Sequence, residues 1–522
     1  MKHRREVSPH FMQDDLKEMF FRTGNIKKML WLACLSLAFL SCKDRSREGG
    51  QPNILFVMAD DHTTQAISCY QGIFAEKAMT VHVDRIAEEG MRFTNAFCTN
   101  SICSPSRATI LTGKCSHKHG VYRLGQSFDN SQITIPELFR DAGYSTAVFG
   151  KWHLRCTPEG FDDYKVLPVQ GRYQDPQFYE KGCDSLVTHR GWSTDIIADM
   201  TMEYLKNRDR AKPFFVMCHF KSTHDPWAAR PPYDTLYSQE KMPVPDNLFD
   251  TYENRAEPSR ITTLKLEYMN QSTYPHHRLE GVDELTQRYH IYRQYIRSFL
   301  QCGRVLDENV GRLLDFLESE GLEENTILIY TADQGHFLGE HGFFSKRFMY
   351  EESMRIPLII RHPGQIRPGT VNPDLVVNID LAPTLLDLAG LSIPGEMQGE
   401  SIMPLLRGRT PEDWRTAVYY RYWQHLLHRN VTAHYGIRTR THKLIYFYGL
   451  PLDITDYPAV APGWELFDLV KDPNEMNNVY NDPSYEEIVT QMKKKMLELK
   501  EQYGDRDDAH PELVALNKKH FW

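Results

Sequence analysis

Four apolar runs punctuate the chain, and each stops abruptly at a cluster of polar residues. Asn53-Ile-Leu-Phe-Val-Met58 ends at Asp60-Asp61, and Thr326-Ile-Leu-Ile-Tyr-Thr331 ends at Asp333-Gln334-Gly335. Ser145-Thr-Ala-Val-Phe149 runs into Gly150-Lys151-Trp152-His153, and Pro213 to Phe220 runs into Lys221 and His224-Asp225-Pro226. Unbroken apolar runs of this length suit strands buried on both faces. Helical spacing appears between them, at 133–142, 194–207 and 305–321. Strands alternating with helices predict an α/β fold with a parallel sheet, whose ligands bind beyond the carboxyl ends of the strands. The four polar clusters are therefore expected to meet in one pocket.

Past residue 400 the pattern changes to short strand-like runs at 417–422, 435–438 and 443–448, then Trp464-Glu-Leu-Phe-Asp-Leu-Val-Lys-Asp472. Ile488, Met492, Met496 and Leu499 follow at helical spacing. This predicts a smaller α+β subdomain with a helix on its sheet. Residues 225–286 are rich in Pro, Tyr and charge with little periodicity, and read as a long insertion near the pocket mouth. At the other end, Lys27-Lys28 precede an apolar stretch from Met29 to Leu40 that closes on Ser41-Cys42, the pattern of an export leader. Leu40-Ser41-Cys42 is similar to a bacterial lipoprotein cleavage site, so Cys42 is the expected lipidation point. The organisation read this way is a leader over 1–42, a tether over 43–52, a catalytic domain over 53–400 and a C-terminal subdomain over 401–522.

The net charge of −8 argues against general nucleic-acid binding, so an anionic substrate must be met by local cations. Eight cysteines lie beyond Cys42, too few for a disulfide framework in a chain of 522 residues. One of them has distinctive surroundings. Cys103-Ser-Pro-Ser-Arg107 opens a helical pattern that runs on to Thr112-Gly113. Proline suits a first helical turn, and the free N–H groups there favour an anion beside Cys103. Arg107, one turn on, adds a planar cation on the same face. Asp60, Asp61, Asp333 and Gln334 supply hard oxygen donors, a set suited to Ca²⁺ or Mg²⁺ rather than zinc.

These motifs resemble those of the type I, formylglycine-dependent sulfatases of the alkaline phosphatase superfamily. The likeness runs from about Asn53 to about Tyr503. It rests on Cys103-x-Pro-x-Arg107, Gly150-Lys-Trp-His-Leu154, the His224 segment, Lys346-Arg-Phe-Met-Tyr-Glu351, and Asp380-x-x-Pro-Thr-Leu-Leu386. The resemblance implies a large mixed, mostly parallel sheet sandwiched by helices, with an antiparallel sheet in the C-terminal subdomain. It implies that a maturing enzyme oxidises Cys103 to formylglycine, whose hydrate is the nucleophile. Asp60, Asp61, Asp333, Gln334 and residue 103 would hold the divalent ion, usually calcium. Arg107, Lys151 and Lys346 would hold sulfate, His153 would act as base, and His224 with Lys346 would serve the leaving oxygen.

Within the family the chain looks most like bacterial exo-acting sulfatases that act on mucin or glycosaminoglycan glycans. The expected substrate is a sulfated carbohydrate, with 6-O-sulfated N-acetylglucosamine leading. Galactose and N-acetylgalactosamine sulfates and N-sulfoglucosamine are kept as alternatives. So are a phosphoester hydrolase on the same fold and a glycan-binding protein without activity. His336, His341, Arg155, His434 and Arg438 are additional candidates for substrate contact. Arg155 stands where the family commonly has glycine, and His336 and His341 are expected at the pocket rim. His425, His428, Arg429, Tyr435 and Arg440 could reach over it from the second domain. The reading places the protein outside the cytoplasm, in a bacterial periplasm or on the outer membrane, with a lipid anchor as its only membrane contact.

Overall fold

A computed structural model describes residues 50–269, 277–452 and 456–522. The leader, Cys42 and most of the tether lie outside the described residues. At the centre of the molecule is a ten-stranded sheet. Its order is Thr370–Val377, Met91–Phe97, Leu358–Arg361, Thr326–Ala332, Asn53–Ala59, Phe214–His219, Ser145–Lys151, Asp163–Leu167, Gln177–Glu180 and Val187–Thr188. Asn53–Ala59 pairs in parallel with strands on both sides, Ile54 opposite Phe215 and Ile327. Ser145–Lys151 is parallel to Phe214–His219, while Leu358–Arg361 runs antiparallel between its neighbours. The predicted mixed, mostly parallel sheet is the one observed.

Side-chain alternation along the central strand divides the core. Ile54, Phe56 and Met58 enter one apolar layer, and Leu55, Val57 and Ala59 enter the other. Helices Cys103–Thr112, Ile135–Asp141 and Leu381–Leu388 cover the first face. Ser193–Asn207 and Glu284–Ser319 cover the second with Ile197, Leu306 and Leu313.

The last of these helices corrects the sequence reading. It spans 36 residues, beginning well before the predicted start at 305 and inside the segment read as aperiodic. Ile291, Tyr292, Tyr295 and Phe299 share one buried face, and the Asp283 carboxylate caps the start by accepting from the Thr286 N–H at 2.9 Å. Tyrosines and charged residues hid a repeat that aromatic packing satisfies.

The antiparallel sheet runs Ala417–Tyr422, His434–Thr439, His442–Phe447 and Gly463–Asp468. Helix Glu486–Tyr503 turns Met492, Met496 and Leu499 onto it, as the spacing predicts. The core of this sheet is continuous with the first layer of the large sheet. Among the described residues eight cysteines are free thiols, in line with the absence of a disulfide framework.

Candidate active site

Parallel strand ends bring the predicted clusters together. Asp60 and Asp61 follow Asn53–Ala59, Asp333 follows Thr326–Ala332, Lys151 closes Ser145–Lys151, and His224 follows Phe214–His219. All are buried. Helix Cys103–Thr112 points its first residue at this group and is itself buried throughout. Ser104 Oγ holds the helix by donating to the His153 carbonyl at 2.7 Å, and Ser106 Oγ donates to the Asp333 carbonyl.

Cys103 Sγ lies 3.6 Å from Gln334 Nε2 and 3.7 Å from both Asp60 Oδ1 and Lys151 Nζ. Burial pushes its thiol up to about 12 despite the opposing pull of Lys151 and Lys346. Lys151 Nζ pairs with Asp60, and Lys346 Nζ donates to Asp61 Oδ2 at 2.5 Å. These cations outweigh the cost of burial and hold both carboxyls far below the usual range. Asp333 goes the other way: burial, then repulsion from Asp60, raise it to about 7.

Three carboxylates thus meet three fixed cations, Lys151, Lys346 and Arg107. Ligand oxygens of Asp60, Asp61 and Asp333 lie within 4.8 Å of one another. Gln334 Nε2 donates to Asp61 Oδ1 at 2.6 Å, but its Oε1 is buried with no hydrogen-bond partner. Three clustered carboxylates and an orphaned amide oxygen fit a hard divalent cation.

Arg107 is placed differently from its expected role. Its Nε and Nη2 each lie 2.9 Å from Asp333 Oδ2, and Nη1 donates to the Lys151 carbonyl at 2.6 Å. It fixes Asp333 and the Lys151 backbone before it can reach a substrate. His153 is buried with Nδ1 unpartnered, and burial followed by Lys151 depresses its pKa strongly, leaving the ring neutral. His224 Nδ1 donates to the Asp225 carbonyl at 2.7 Å, so the neutral ring turns a bare Nε2 toward Asp61, 3.8 Å away. Asp61 and His153 hold left-handed backbone angles, φ 67° and 61°, and Ser345 and Arg347 do the same at 71° and 112°. Such conformations concentrate where a site is over-determined by its surroundings.

The pocket above Cys103 encloses about 360 Å³, room for a small ligand such as one sugar unit. His224, Lys346, His428 and Arg429 line it, the last two as the sequence suggested. Gln170, Thr263 and Arg347 also line it and were not singled out from sequence. Arg347 had a signal, a second cation beside Lys346; Gln170 and Thr263 reach the pocket only through loop geometry. Asp225 and Thr263 confirm that the 225–286 insertion borders the mouth.

Several predicted contact residues lie elsewhere. His336 is fully buried, stacked on Phe299 at 5.7 Å with Nδ1 3.5 Å from Asp61 Oδ2, so it supports Asp61 from behind rather than forming the rim. His341 is buried against Arg255 and Asp250, at 2.9 and 3.2 Å. His434 stacks on Tyr420 and Tyr422 in the core. Arg438 pairs with Glu351 at 3.1 Å over the Phe97 ring. Arg155 lines a neighbouring cavity. Arg440 pairs with Asp374 at the surface. In each case a charge or ring that sequence reading left exposed has a partner in the fold or lies outside the pocket.

Fold and site together define a class: an α/β protein with a buried acidic cluster and clustered cations at its strand ends, beside a helix N-terminus, arranged for a tetrahedral oxyanion ester. The sulfatase family model matches residues 52–391, and the model "N-sulphoglucosamine sulphohydrolase, C-terminal" matches residues 339–502. An N-acetylglucosamine-6-O-sulfatase from Bacteroides thetaiotaomicron is 40% identical, over 97% of this chain and 96% of its own length. The N-acetylglucosamine-6-sulfatase of Capra hircus is 29% identical over 71% of this chain and 66% of its own. A solved structure described as bound to its substrate D-glucosamine-2-N,6-O-disulfate superposes with a TM-score of 0.81, at 39% identity, covering 88% of this chain and 99% of that one. The chain belongs to the sulfatase family and is a sulfuric ester hydrolase.

Proposed function

We propose that this enzyme removes the 6-O-sulfate from N-acetylglucosamine or glucosamine units of sulfated glycans. The observation that carries this is the near full-length 40% identity to a bacterial N-acetylglucosamine-6-O-sulfatase. The structural match to a protein holding a 6-O-sulfated glucosamine supports it. The galactose, N-sulfoglucosamine, phosphoester and binding-protein readings have no comparable support.

In this reading Cys103 is converted to formylglycine, and Asp60, Asp61, Asp333 and Gln334 hold a divalent cation, calcium by preference. Residue 103, as a hydrated aldehyde, would present the attacking oxygen, and the cation, when bound, would supply positive charge to it and to the sulfate. A divalent ion held there would add to the positive charge that Lys151, Lys346 and Arg107 offer an anionic ester. Lys151 and Lys346 then contact sulfate oxygens, while Arg107 keeps Asp333 in place. Neutral His153 takes the proton whose loss allows sulfate to depart. His224 can donate to the leaving oxygen only after gaining a proton at Nε2, which a bound anion favours. On the leader pattern alone, the enzyme is exported and anchored through lipid on Cys42.

Two measurements test this assignment. Mass spectrometry of the Cys103 peptide from protein made with a formylglycine-generating enzyme should show the thiol sulfur replaced by a carbonyl oxygen, with two hydrogens lost. An unmodified thiol in active protein would contradict it. Chelation should abolish sulfate release, with calcium restoring it better than magnesium; activity indifferent to chelation would remove the cation from the account.

A further inference from the structure

A second cavity of about 650 Å³ opens beside the site, with His153 in its wall. Trp152, Tyr164 and Leu167 form its apolar wall, and Tyr179 and Val169 stand at its rim with 52% and 56% of their surfaces exposed. The chain that carries Lys151 into the site continues directly along this cavity as Trp152, His153 and Arg155. Among the described residues, two short turns lie between the two spaces. Leu124 and Gln170 face the site, while Ser127, Pro168 and Val169 face the cavity.

Arg155 is the unusual residue here. It adopts φ 53°, a left-handed conformation that costs an L side chain and that glycine would adopt freely. Among the described residues its exposed guanidinium has no ion pair or hydrogen-bond partner. It lies against the dividing turn, since a Cβ added at Gly125 would sit 3.9 Å from its guanidinium carbon. The acid that shares the cavity, Glu180, is already engaged by His189 at 2.6 Å. On the ridge itself, Gln170 Oε1 is buried without a donor.

We propose that this cavity is a subsite for an acidic sugar linked to the unit being desulfated, and that Arg155 binds its anionic group. The inference rests on the glycan-sulfatase reading and deepens it. The linked sugar crosses the ridge, where a hydroxyl donates to Gln170 Oε1. Its apolar face lies on Tyr179, and its carboxylate or sulfate pairs with the free guanidinium. Aromatic wall, unopposed cation and continuity with the site are what such a unit requires.

The test uses the matured full-length enzyme and three substrates: 6-sulfated N-acetylglucosamine, a disaccharide joining it to a neutral hexose, and one joining it to a uronate. A fourth, with a sulfated hexose neighbour, separates carboxylate from sulfate recognition. The acidic disaccharides should exceed the neutral one in kcat/KM by about tenfold or more at low salt, mainly through KM. Arg155→Ala and Arg155→Gly should each remove most of that ratio, and the glycine variant also relieves the backbone. A ratio unaltered in both variants overturns the proposal. A second readout needs no turnover. An acidic disaccharide lacking the 6-sulfate should slow alkylation of Cys183, which is exposed and lines the cavity; unprotected Cys183 at saturating ligand counts against the subsite. Failure of the wild type on the monosaccharide would instead sink the substrate assignment, leaving Cys183 protection to judge the cavity separately.

Discussion

Cys103→Ala is expected to lower kcat/KM for 6-sulfated N-acetylglucosamine by on the order of 10⁴- to 10⁶-fold. The side chain stands where Asp60, Lys151 and Gln334 converge within 3.7 Å, at the start of a buried helix. Ser345 and Thr263 also line the pocket, but Ser345 Oγ accepts from Arg347 at 2.7 Å, and neither stands at this convergence of groups. Truncating residue 103 to a methyl group should change stability by only about 1 kcal/mol, so the melting curve separates loss of chemistry from loss of fold. Steady-state sulfate release checks the prediction. A deficit of less than about tenfold would place the nucleophile elsewhere.

The largest stability effect is expected far from that pocket. Arg421 is 3% exposed in its side chain, donates to Asp505 Oδ1 at 2.5 Å and lies 3.5 Å over the Trp423 ring. Arg421→Leu leaves the Asp505 carboxylate buried with Lys500 as its remaining nearby cation, at a cost of roughly 3–5 kcal/mol. For a chain of this size that corresponds to a fall in Tm of roughly 5–10 °C. Replacing Asp505 by Leu as well should recover part of the loss, because no unpaired charge then remains.

The pH dependence has a definite sign. Burial alone would raise the Asp505 carboxyl, but Arg421 and then Lys500 reverse this and hold it well below the usual range. A depressed folded pKa gives stability that is complete above the unfolded value and lost as pH falls below about 4. The gap between wild type and Arg421→Leu should therefore narrow in acid. Thermal melts from pH 7 to 3 test it, and a gap that widened would contradict the assignment.

The sheet and the gathering of polar residues at its strand ends were legible for one physical reason. Strands buried on both faces must be apolar throughout, so polar residues at their ends stand out as Asp60-Asp61, Asp333-Gln334 and Lys151 do. Side chains whose partners come from distant segments were not legible. His341, His434 and Arg438 read as free chemistry, yet Asp250, Tyr420 and Glu351 claim them from 91, 14 and 87 residues away. Arg107 was found by motif, but its engagement with Asp333 depends on how helix and strand meet. The pocket's Gln170 and Thr263 sit on loops without periodicity, and the start of Glu284–Ser319 hid among tyrosines.

The most direct test of the central claim is sulfate release by matured, calcium-supplied protein from 6-sulfated N-acetylglucosamine, set beside 3- and 6-sulfated galactose, 4- and 6-sulfated N-acetylgalactosamine, N-sulfoglucosamine and an aryl phosphate. The account predicts turnover of the 6-sulfated N-acetylglucosamine at a kcat/KM about a hundredfold or more above every other member. No release from it, by protein whose residue 103 is confirmed as formylglycine, or faster cleavage of the phosphate, would contradict the account.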